Sequence, residues 1–255
     1  MYNNRQNIIA NIPPAVKLIL IINIGMFLLT ELVATTNHID LNKILGLYFF
    51  KSELFKPYQV VTHMFMHGGW MHILFNMYAL WLFGQVIERT WGTKRFFIYY
   101  FATGFGAVVL HSFVEYLRYL SVSASMPADV VNMVLHKGAD ILASGKNYAD
   151  VDLGKLNLLF HTPTIGASGA IFGLLLAFGM LFPNTKLYLM FIPVPIKAKY
   201  FVIGYGVLEL GMGLNNATSD NVAHFAHLGG MLFGFILIKI WQKKKKIGND
   251  FYNQY

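Results

Sequence analysis

A single serine stands among small residues in the segment TIGASGAIFG, which runs from Thr164 to Gly173. Small residues let two membrane helices approach closely, so packing alone accounts for such a segment. The alternative is that Ser168 is a nucleophile. That chemistry requires a base, an oxyanion site and helices that bring the three together.

A histidine at a matching depth supplies the candidate base. The segment NVAHFAHLGGMLFG places His227 early in an apolar stretch, and Ser168 begins another. At ~1.5 Å per residue, both fall within about the first 10 Å of one leaflet. Each stretch also carries a glycine pair at spacing four, Gly169 with Gly173 and Gly230 with Gly234. Such glycines favour close helix contact, whereas an imidazole facing apolar helices costs free energy unless it has a partner or a function.

Two further polar side chains lie one helical turn apart in HMFMHGGWMHILFNMYALWLFG. His72 and Asn76 are at spacing four and therefore share a helix face. An imidazole and a carboxamide aimed at one point suit a developing oxyanion where bulk water is excluded. Asn76 alone is more simply an interhelical hydrogen-bonding residue.

The composition indicates the elements that must position these residues. Of the 255 residues, 56% are hydrophobic and 13% are charged, with a mean hydropathy of +0.50, which predicts an all-α, multi-span membrane protein. We interpret residues 1–255 as one domain. The absence of cysteine excludes disulfides, thiol catalysis and Cys-ligated zinc. The net charge of +8 comes from residues at the ends of apolar runs, which favours lipid head groups over nucleic acid as partner.

Apolar runs predict six spans. They are Val16–Val33, His67–Ile87, Phe96–Leu117, Gly166–Phe182, Lys199–Leu214 and Val222–Trp241. The first lacks a small-residue cleavage site and is interpreted as a retained span. The segment MFIPVPIKAKYF contains Pro193 and Pro195, so we expect it to connect spans four and five.

The distribution of charge predicts the orientation. Thirteen of the 20 Lys and Arg residues lie on the side of the two termini, including the run KKKK in a basic tail at 242–255. Both termini are therefore predicted to be cytoplasmic. The loop of about 118–163 lies on the outer side, and its segment MPADVVNMVLHKGADILASG predicts an amphipathic helix that begins at Pro127 and lies on the membrane face.

The motifs together resemble those of the rhomboid intramembrane serine proteases. The family pattern GxSG is met by Gly166–Gly169, AHxxGxxxG by Ala226–Gly234, and HxxxxHxxxN by His67, His72 and Asn76. The resemblance covers nearly the whole chain and implies a six-transmembrane-helix, rhomboid-like bundle. It further implies an integral, multi-pass membrane protein. Because the compact six-span form resembles prokaryotic members, it also implies a prokaryotic cell (inner) membrane.

The resemblance also implies roles for single residues. Ser168 corresponds to the nucleophile and His227 to the general base of a serine endopeptidase. His72, Asn76 and the Ser168 backbone amide correspond to the oxyanion hole. Supporting positions are Gly166, Gly169, Phe172, His67, Gly230 and Gly234. The family implies no cofactor, no acid that orients the histidine, and transmembrane protein substrates.

Three positions bear on the resemblance outside these motifs. Glu88 matches a structural glutamate at the inner end of the second helix. Phe172 stands where many members carry a tyrosine that stacks on the catalytic histidine, so the ring is kept and the hydroxyl is lost. Tyr58 and Gln59 stand where many members have Trp-Arg, and we expect that change to affect loop packing more than catalysis.

Two other functions stay open. His63 with His67 and His224 with His227 have spacings that bind zinc, but neither pair carries the glutamate of HExxH. Taken singly, His63 and His224 are interpreted as packing or solvent-near histidines. A catalytically inactive relative that binds transmembrane helices is the other alternative. A soluble α/β-hydrolase is excluded, because position 170 is Ala and the G-x-S-x-G elbow is not met.

Overall fold

A computed structural model of the protein describes residues 12–188, 194–215 and 223–243. The helices in these ranges are α1 Pro14–Asn37, α2 Leu41–Leu45, α3 Gln59–Thr62, α4 Trp70–Ala79, α5 Gln85–Trp91, α6 Thr93–Ser123, α7 Ala128–Ala143, α8 Val151–His161, α9 Ser168–Leu181, α10 Ala198–Asn215 and α11 His224–Lys243. A π-helical stretch, Leu80–Gly84, joins α4 to α5, and a 3-10 turn, His63–Phe65, follows α3. The predicted all-α class is confirmed.

Four helical segments are long and apolar enough to cross a membrane. They are Pro14–Asn37, Trp70–Trp91, Thr93–Ser123 and His224–Lys243. The two remaining predicted spans correspond to α9, an apolar helix of 14 residues, and to α10, a helix of 18 residues. The structure is therefore compatible with six spans. The third span continues to Ser123, beyond the predicted end at Leu117.

The helix α11 packs along both α6 and α9, and these three helices form the centre of the bundle. A Cβ added at Gly230 would overlap the Gly169 carbonyl oxygen, so α9 and α11 meet backbone to backbone at this pair. Their other two glycines face α6, where a Cβ would contact Thr103 or Tyr99. The Tyr99 hydroxyl donates to the Gly173 carbonyl at 2.8 Å and ties α6 to α9.

The carboxylate of Glu88 holds the start of α1 against the end of α5. It accepts hydrogen bonds from the backbone N–H of Ala15 at 2.9 Å and of Val16 at 2.8 Å. The first N–H groups of a helix have no partner within the helix, so this buried carboxylate satisfies two of them. The Thr93 hydroxyl donates to the same side chain at 2.8 Å. These contacts agree with the structural role inferred for Glu88.

The loop between α2 and α3 is organised by the side chain of Gln59, which is buried. Its amide oxygen accepts from the Lys56 N–H at 2.9 Å, and its amide nitrogen donates to the carbonyls of Ile44 at 3.2 Å and Leu54 at 3.1 Å. Gln59 thus satisfies several loop backbone groups at the position where many family members carry arginine. The loop keeps a polar anchor despite the substitution.

The predicted amphipathic helix of the long loop is present as α7, with Pro127 as its N-cap. A second helix, α8, follows it and was not predicted. The side chain of Asp150 caps α8 by accepting from the N–H groups of Asp152 and Leu153. Leu156 and Phe160 of α8 are buried in one apolar cluster with Val134 of α7 and Phe49, a tertiary contact that local sequence does not specify.

The connection after α9 contains a short antiparallel pair, β1 Lys186–Leu187 with β2 Ile196–Lys197. Its strands lie on either side of Pro195 and of residues 189–193, which include Pro193 and are outside the described ranges. The predicted interruption between spans four and five agrees with this pair. The basic tail lies outside the described residues from position 244 onward.

Candidate active site

Ser168 is the first residue of α9 and follows a sharp bend of the backbone. Gly166 has a φ of 127°, a conformation that favours glycine because it has no Cβ. The Gly166 N–H donates to the His63 carbonyl at 2.9 Å, and Leu47 and Thr164 exchange backbone hydrogen bonds at 2.8 and 2.9 Å. The segment before the serine is therefore fixed to the loop that precedes α4.

His227 lies in the first turn of α11, and its Nε2 is 2.8 Å from the Ser168 Oγ. The two side chains predicted to lie at matching depth are thus within hydrogen-bond distance. The ring of Phe172, one turn along α9, stacks on the imidazole with centroids 4.1 Å apart and planes 5° apart. This contact fixes the ring plane of His227 from one side.

A carboxylate lies on the other edge of the imidazole. The Oε2 of Glu209, on α10, is 2.8 Å from His227 Nδ1 and 2.7 Å from His224 Nδ1. The resemblance implied no acid that orients the histidine, but in this chain a carboxylate lies within hydrogen-bond distance of the ring. The sequence did carry a signal, because Glu209 is the sole acidic residue of the predicted fifth span and ionisable residues within spans mark functional sites.

His72 and Asn76 project from α4 into the same cavity as Ser168. The Gly68 N–H donates to His72 Nδ1 at 3.4 Å, which leaves the proton of a neutral ring on Nε2. That Nε2 lies beside Gly166, 2.9 Å from where a Cβ would stand. The Asn76 Nδ2 is buried and has no hydrogen-bond partner among the described residues. Both side chains therefore offer donors to the cavity that Ser168 also lines.

The two histidines before α4, His63 and His67, are both buried. His63 Nδ1 donates to the Gln59 carbonyl at 2.8 Å, and burial lowers the pKa of His63 to about 4. The ring of His67 packs edge-to-face on His72 with centroids 5.0 Å apart. The imidazole of His63 is therefore neutral at pH 7.

The zinc-binding alternative is supported for one of its two histidine pairs. Glu209, His224 and His227 each offer a ligand atom, and these atoms lie within 4.8 Å of one another. His63 and His67 belong to no such group within the part of the chain that the structure describes. His224 is buried, which agrees with the packing alternative of its interpretation and not with the solvent-near one.

A cavity of about 1370 Å³ opens beside these groups. Its walls include the nucleophile candidate Ser168, the base candidate His227 and Asn76, and it extends to Arg118 and Lys155 at the two ends of the α7 region. Polar side chains of five helices thus line one space within an otherwise apolar bundle. Such convergence in a concave space is typical of an active site.

Comparison with known proteins agrees with this geometry. The sequence model of one family, described as the Rhomboid domain, matches residues 54–244. "Rhomboid protein 1, mitochondrial" of Saccharomyces cerevisiae is 25% identical over 189 residues, which cover 73% of this chain and 44% of that protein. "RHOMBOID-like protein 12, mitochondrial" of Arabidopsis thaliana is 28% identical over 214 residues, which cover 83% and 54%.

A bacterial relative is also found. "Rhomboid protease GluP" of Bacillus subtilis is 27% identical over 180 residues, which cover 70% of this chain and 25% of that protein. The chain thus spans about half the length of the two eukaryotic relatives and a quarter of the bacterial one. Because the family model covers well over half of the sequence and the apolar helices are those of a multi-pass membrane protein, this chain belongs to the rhomboid family.

Proposed function

We propose that this protein is an intramembrane serine endopeptidase that cleaves the transmembrane segments of other membrane proteins near the outer leaflet. The observation that carries the proposal is the 2.8 Å contact between Ser168 Oγ and His227 Nε2 at the edge of a large cavity. A serine paired with an imidazole is the arrangement that activates a hydroxyl as a nucleophile. Family membership and a relative named as a protease support the same function.

The proposed reaction begins with Ser168 and a substrate helix that has unwound at the cavity. The Oγ attacks the exposed carbonyl carbon while His227 Nε2 takes the hydroxyl proton, giving a tetrahedral intermediate. His227 then returns this proton to the leaving amine, and the C–N bond breaks. A water molecule then attacks the acyl-enzyme through the same two steps and releases the second product.

The negative oxygen of the intermediate is stabilised by preorganised donors. We assign this role to Asn76 Nδ2, His72 Nε2 and the backbone N–H of Ser168. The unpartnered Asn76 amide supports the assignment, because a buried donor without a partner costs free energy unless a ligand uses it. The tautomer inferred for His72 leaves a second donor free for the same oxygen.

The proposed substrate class follows from the surroundings of the site. The cavity exceeds the roughly 300–1,000 Å³ of pockets that bind drug-sized molecules, so an extended peptide segment fits better than a small metabolite. The helices around it expose apolar side chains, such as Trp70 and Leu74 of α4, and a membrane protein can approach them from the lipid. We propose a prokaryotic cell membrane as its location, although the eukaryotic relatives described above are mitochondrial.

A metal-dependent hydrolase is the second candidate. It is favoured by the group formed by Glu209, His224 and His227, because two imidazoles and a carboxylate form a known catalytic zinc set. In this alternative a metal ion on His227 Nδ1, the nitrogen that faces Glu209, would leave the ring proton on Nε2, which then could not accept the serine proton. The two candidates therefore differ in whether Ser168 is activated.

Reaction with a fluorophosphonate tests the proposal. In this reaction the serine oxygen bonds to phosphorus, fluoride leaves and the hydroxyl proton passes to the base. We expect labelling of the purified protein to map to Ser168 by mass spectrometry, to persist in EDTA, and to be lost in Ser168→Ala and His227→Ala.

Ser112→Ala is the matched control, because Ser112 lines the same cavity from a different helix, α6. This variant should label like the unaltered protein. Comparison of shed ectodomains from cells that express the active protein or Ser168→Ala then tests proteolysis itself. Absence of labelling together with an EDTA-sensitive hydrolysis would instead support the metal candidate.

A further inference from the structure

Glu209 presents a carboxylate inside an apolar helix, and its side chain makes two short contacts through one oxygen. Only 7% of the residue is exposed. Both partners, His224 Nδ1 and His227 Nδ1, come from the first turn of α11. A buried carboxylate costs several kcal/mol unless hydrogen bonds compensate, so this arrangement needs a reason beyond packing.

We propose that Glu209 is a positioning residue that fixes the tautomer and orientation of His227, so that the site works as a Ser-His-Glu triad. The proposal rests on the proposed serine-protease function and adds to it a residue outside the family motifs. Glu209 contacts neither the substrate nor the serine. It acts only through the imidazole.

The hydrogen-bond inventory supports this role. A protonated carboxyl O–H can donate to only one ring, whereas the ionised oxygen accepts from both Nδ1–H groups. With its proton on Nδ1, a neutral His227 carries its lone pair on Nε2, the nitrogen 2.8 Å from the Ser168 hydroxyl. That tautomer is the one that can accept the serine proton.

The same carboxylate stabilises the imidazolium that forms when the serine attacks. Its negative charge lies 2.8 Å from the ring nitrogen, in surroundings where apolar helices strengthen electrostatic interactions. Phe172 holds the ring plane from the side, and Glu209 holds its edge. The two contacts leave the imidazole little freedom to rotate away from Ser168.

His224 and the outer part of α10 hold Glu209 in turn. His224 Nδ1 donates to Oε2 at 2.7 Å, with its ring nearly perpendicular to that of His227 at 88°. Further along α10, the Gly213 carbonyl accepts from the Arg118 guanidinium at 3.3 Å, which links α10 to α6. His224, the first histidine of the segment HFAH, therefore has a role as an anchor for the carboxylate.

Glu209→Gln separates positioning from packing, because the amide has nearly the same size but donates as well as accepts. An amide that donates to Nδ1 moves the ring proton to Nε2, where it blocks the general base. We expect the maximal rate of fluorophosphonate labelling, kinact, to fall about 10²-fold or more, with little change in the half-saturating concentration KI. The melting temperature in detergent should stay near that of the unaltered protein.

Three variants complete the comparison. Glu31→Gln is the matched control, because it removes an exposed carboxylate from another apolar helix, α1, away from the residues that line the cavity, and should leave kinact unchanged. His224→Ala should lower kinact less than Glu209→Gln does, because one hydrogen bond to Oε2 remains. Glu209→Asp keeps the acceptor and should recover part of the rate that the Gln variant loses.

Several outcomes would overturn the proposal. If Glu209→Gln labels at the native rate, or if it lowers kinact and melting temperature together while Glu209→Asp gives no recovery, the residue is only structural. Zinc added to the purified protein tests the metal-site alternative. If activity requires zinc and chelation abolishes activity, Glu209 is a metal ligand. Failure of the unaltered protein to label at Ser168 would contradict the proposed function itself. That outcome is distinguishable from failure of the positioning role, in which the unaltered protein still labels.

Discussion

The buried amide of Asn76 has two alternative roles, an interhelical hydrogen bond or an oxyanion donor. Its unpartnered Nδ2 favours the second, because an amide that served only to join helices would be paired. We expect Asn76→Ala to lower turnover strongly without abolishing it. Loss of one such donor costs about 2.7–4 kcal/mol in the transition state, or roughly 10²–10³ in rate.

Turnover and melting temperature measured on the same preparation decide between these roles. The oxyanion role leaves the melting temperature nearly unchanged and still permits slow labelling of Ser168. An interhelical role for Asn76 instead lowers stability and leaves the rate per folded molecule intact. The second pattern would remove Asn76 from the site.

The neutral, buried His63 makes stability depend on pH. Its pKa of about 4 in the folded protein lies below the ordinary value of 6.5, so the unfolded chain binds more protons between these values. Stability is therefore full above about pH 6.5 and is lost as the pH falls towards 4. We expect the melting temperature to decrease between pH 7 and pH 5. In His63→Gln the decrease should be smaller, when each protein is compared with its own melting temperature at pH 7. Equal decreases in both would show that His63 does not contribute.

At the level of residues, the sequence predicted the parts of the site that lie in short motifs. Ser168 and His227 meet at 2.8 Å, and Phe172 stacks as its position implied. Glu209 was missed because its partners are 15 and 18 residues away on another helix, and no local pattern records such a contact. The useful signal was the cost of a lone carboxylate in an apolar span.

At the level of elements, the site depends on how closely α9 and α11 approach. The methyl group of Gly230→Ala would overlap the Gly169 carbonyl, so the helices must separate. We expect a loss of about 1–3 kcal/mol in stability from this overpacking, and slower labelling because separation lengthens the contact between Ser168 and His227.

Gly204→Ala is the matched control for that variant. Gly204 is also helical, on α10, but a Cβ there would meet nothing within 4 Å. The substitution should leave labelling unchanged and slightly favour the helix, since alanine has the higher helix propensity. Equal behaviour of the two variants would mean that the glycine contact does not hold the site together.

The long loop of residues 118–163 illustrates what local sequence does and does not specify. The segment of α7 was predicted because its Pro127 start and amphipathic pattern are local. The helix α8 instead depends on tertiary packing, because its Leu156 and Phe160 are buried against Phe49 and Val134 from elsewhere in the chain. Its one local signal was the Asp150 cap. The hydrophobic pattern alone gave no reason to choose a helix there.

At the level of the whole molecule, the orientation in the membrane determines which side of a substrate the site reaches. Ser168 begins α9, and the residues that line its cavity extend to the loop helix α8. The excess of Lys and Arg on the side of the termini predicts that this loop faces outward. Cleavage would then occur near the outer leaflet.

Single cysteines test this orientation directly, because the chain contains none of its own. Ser144 in the long loop and Asn184 after α9 are both exposed, and they lie beyond opposite ends of α9. In intact bacterial cells we expect Ser144→Cys to react with a membrane-impermeant maleimide, and Asn184→Cys to react only after permeabilisation. The cysteine-free protein gives the background. Labelling in the reverse order would place Ser168 near the cytoplasmic leaflet, and the search for substrates would have to turn to helices cut from the inside.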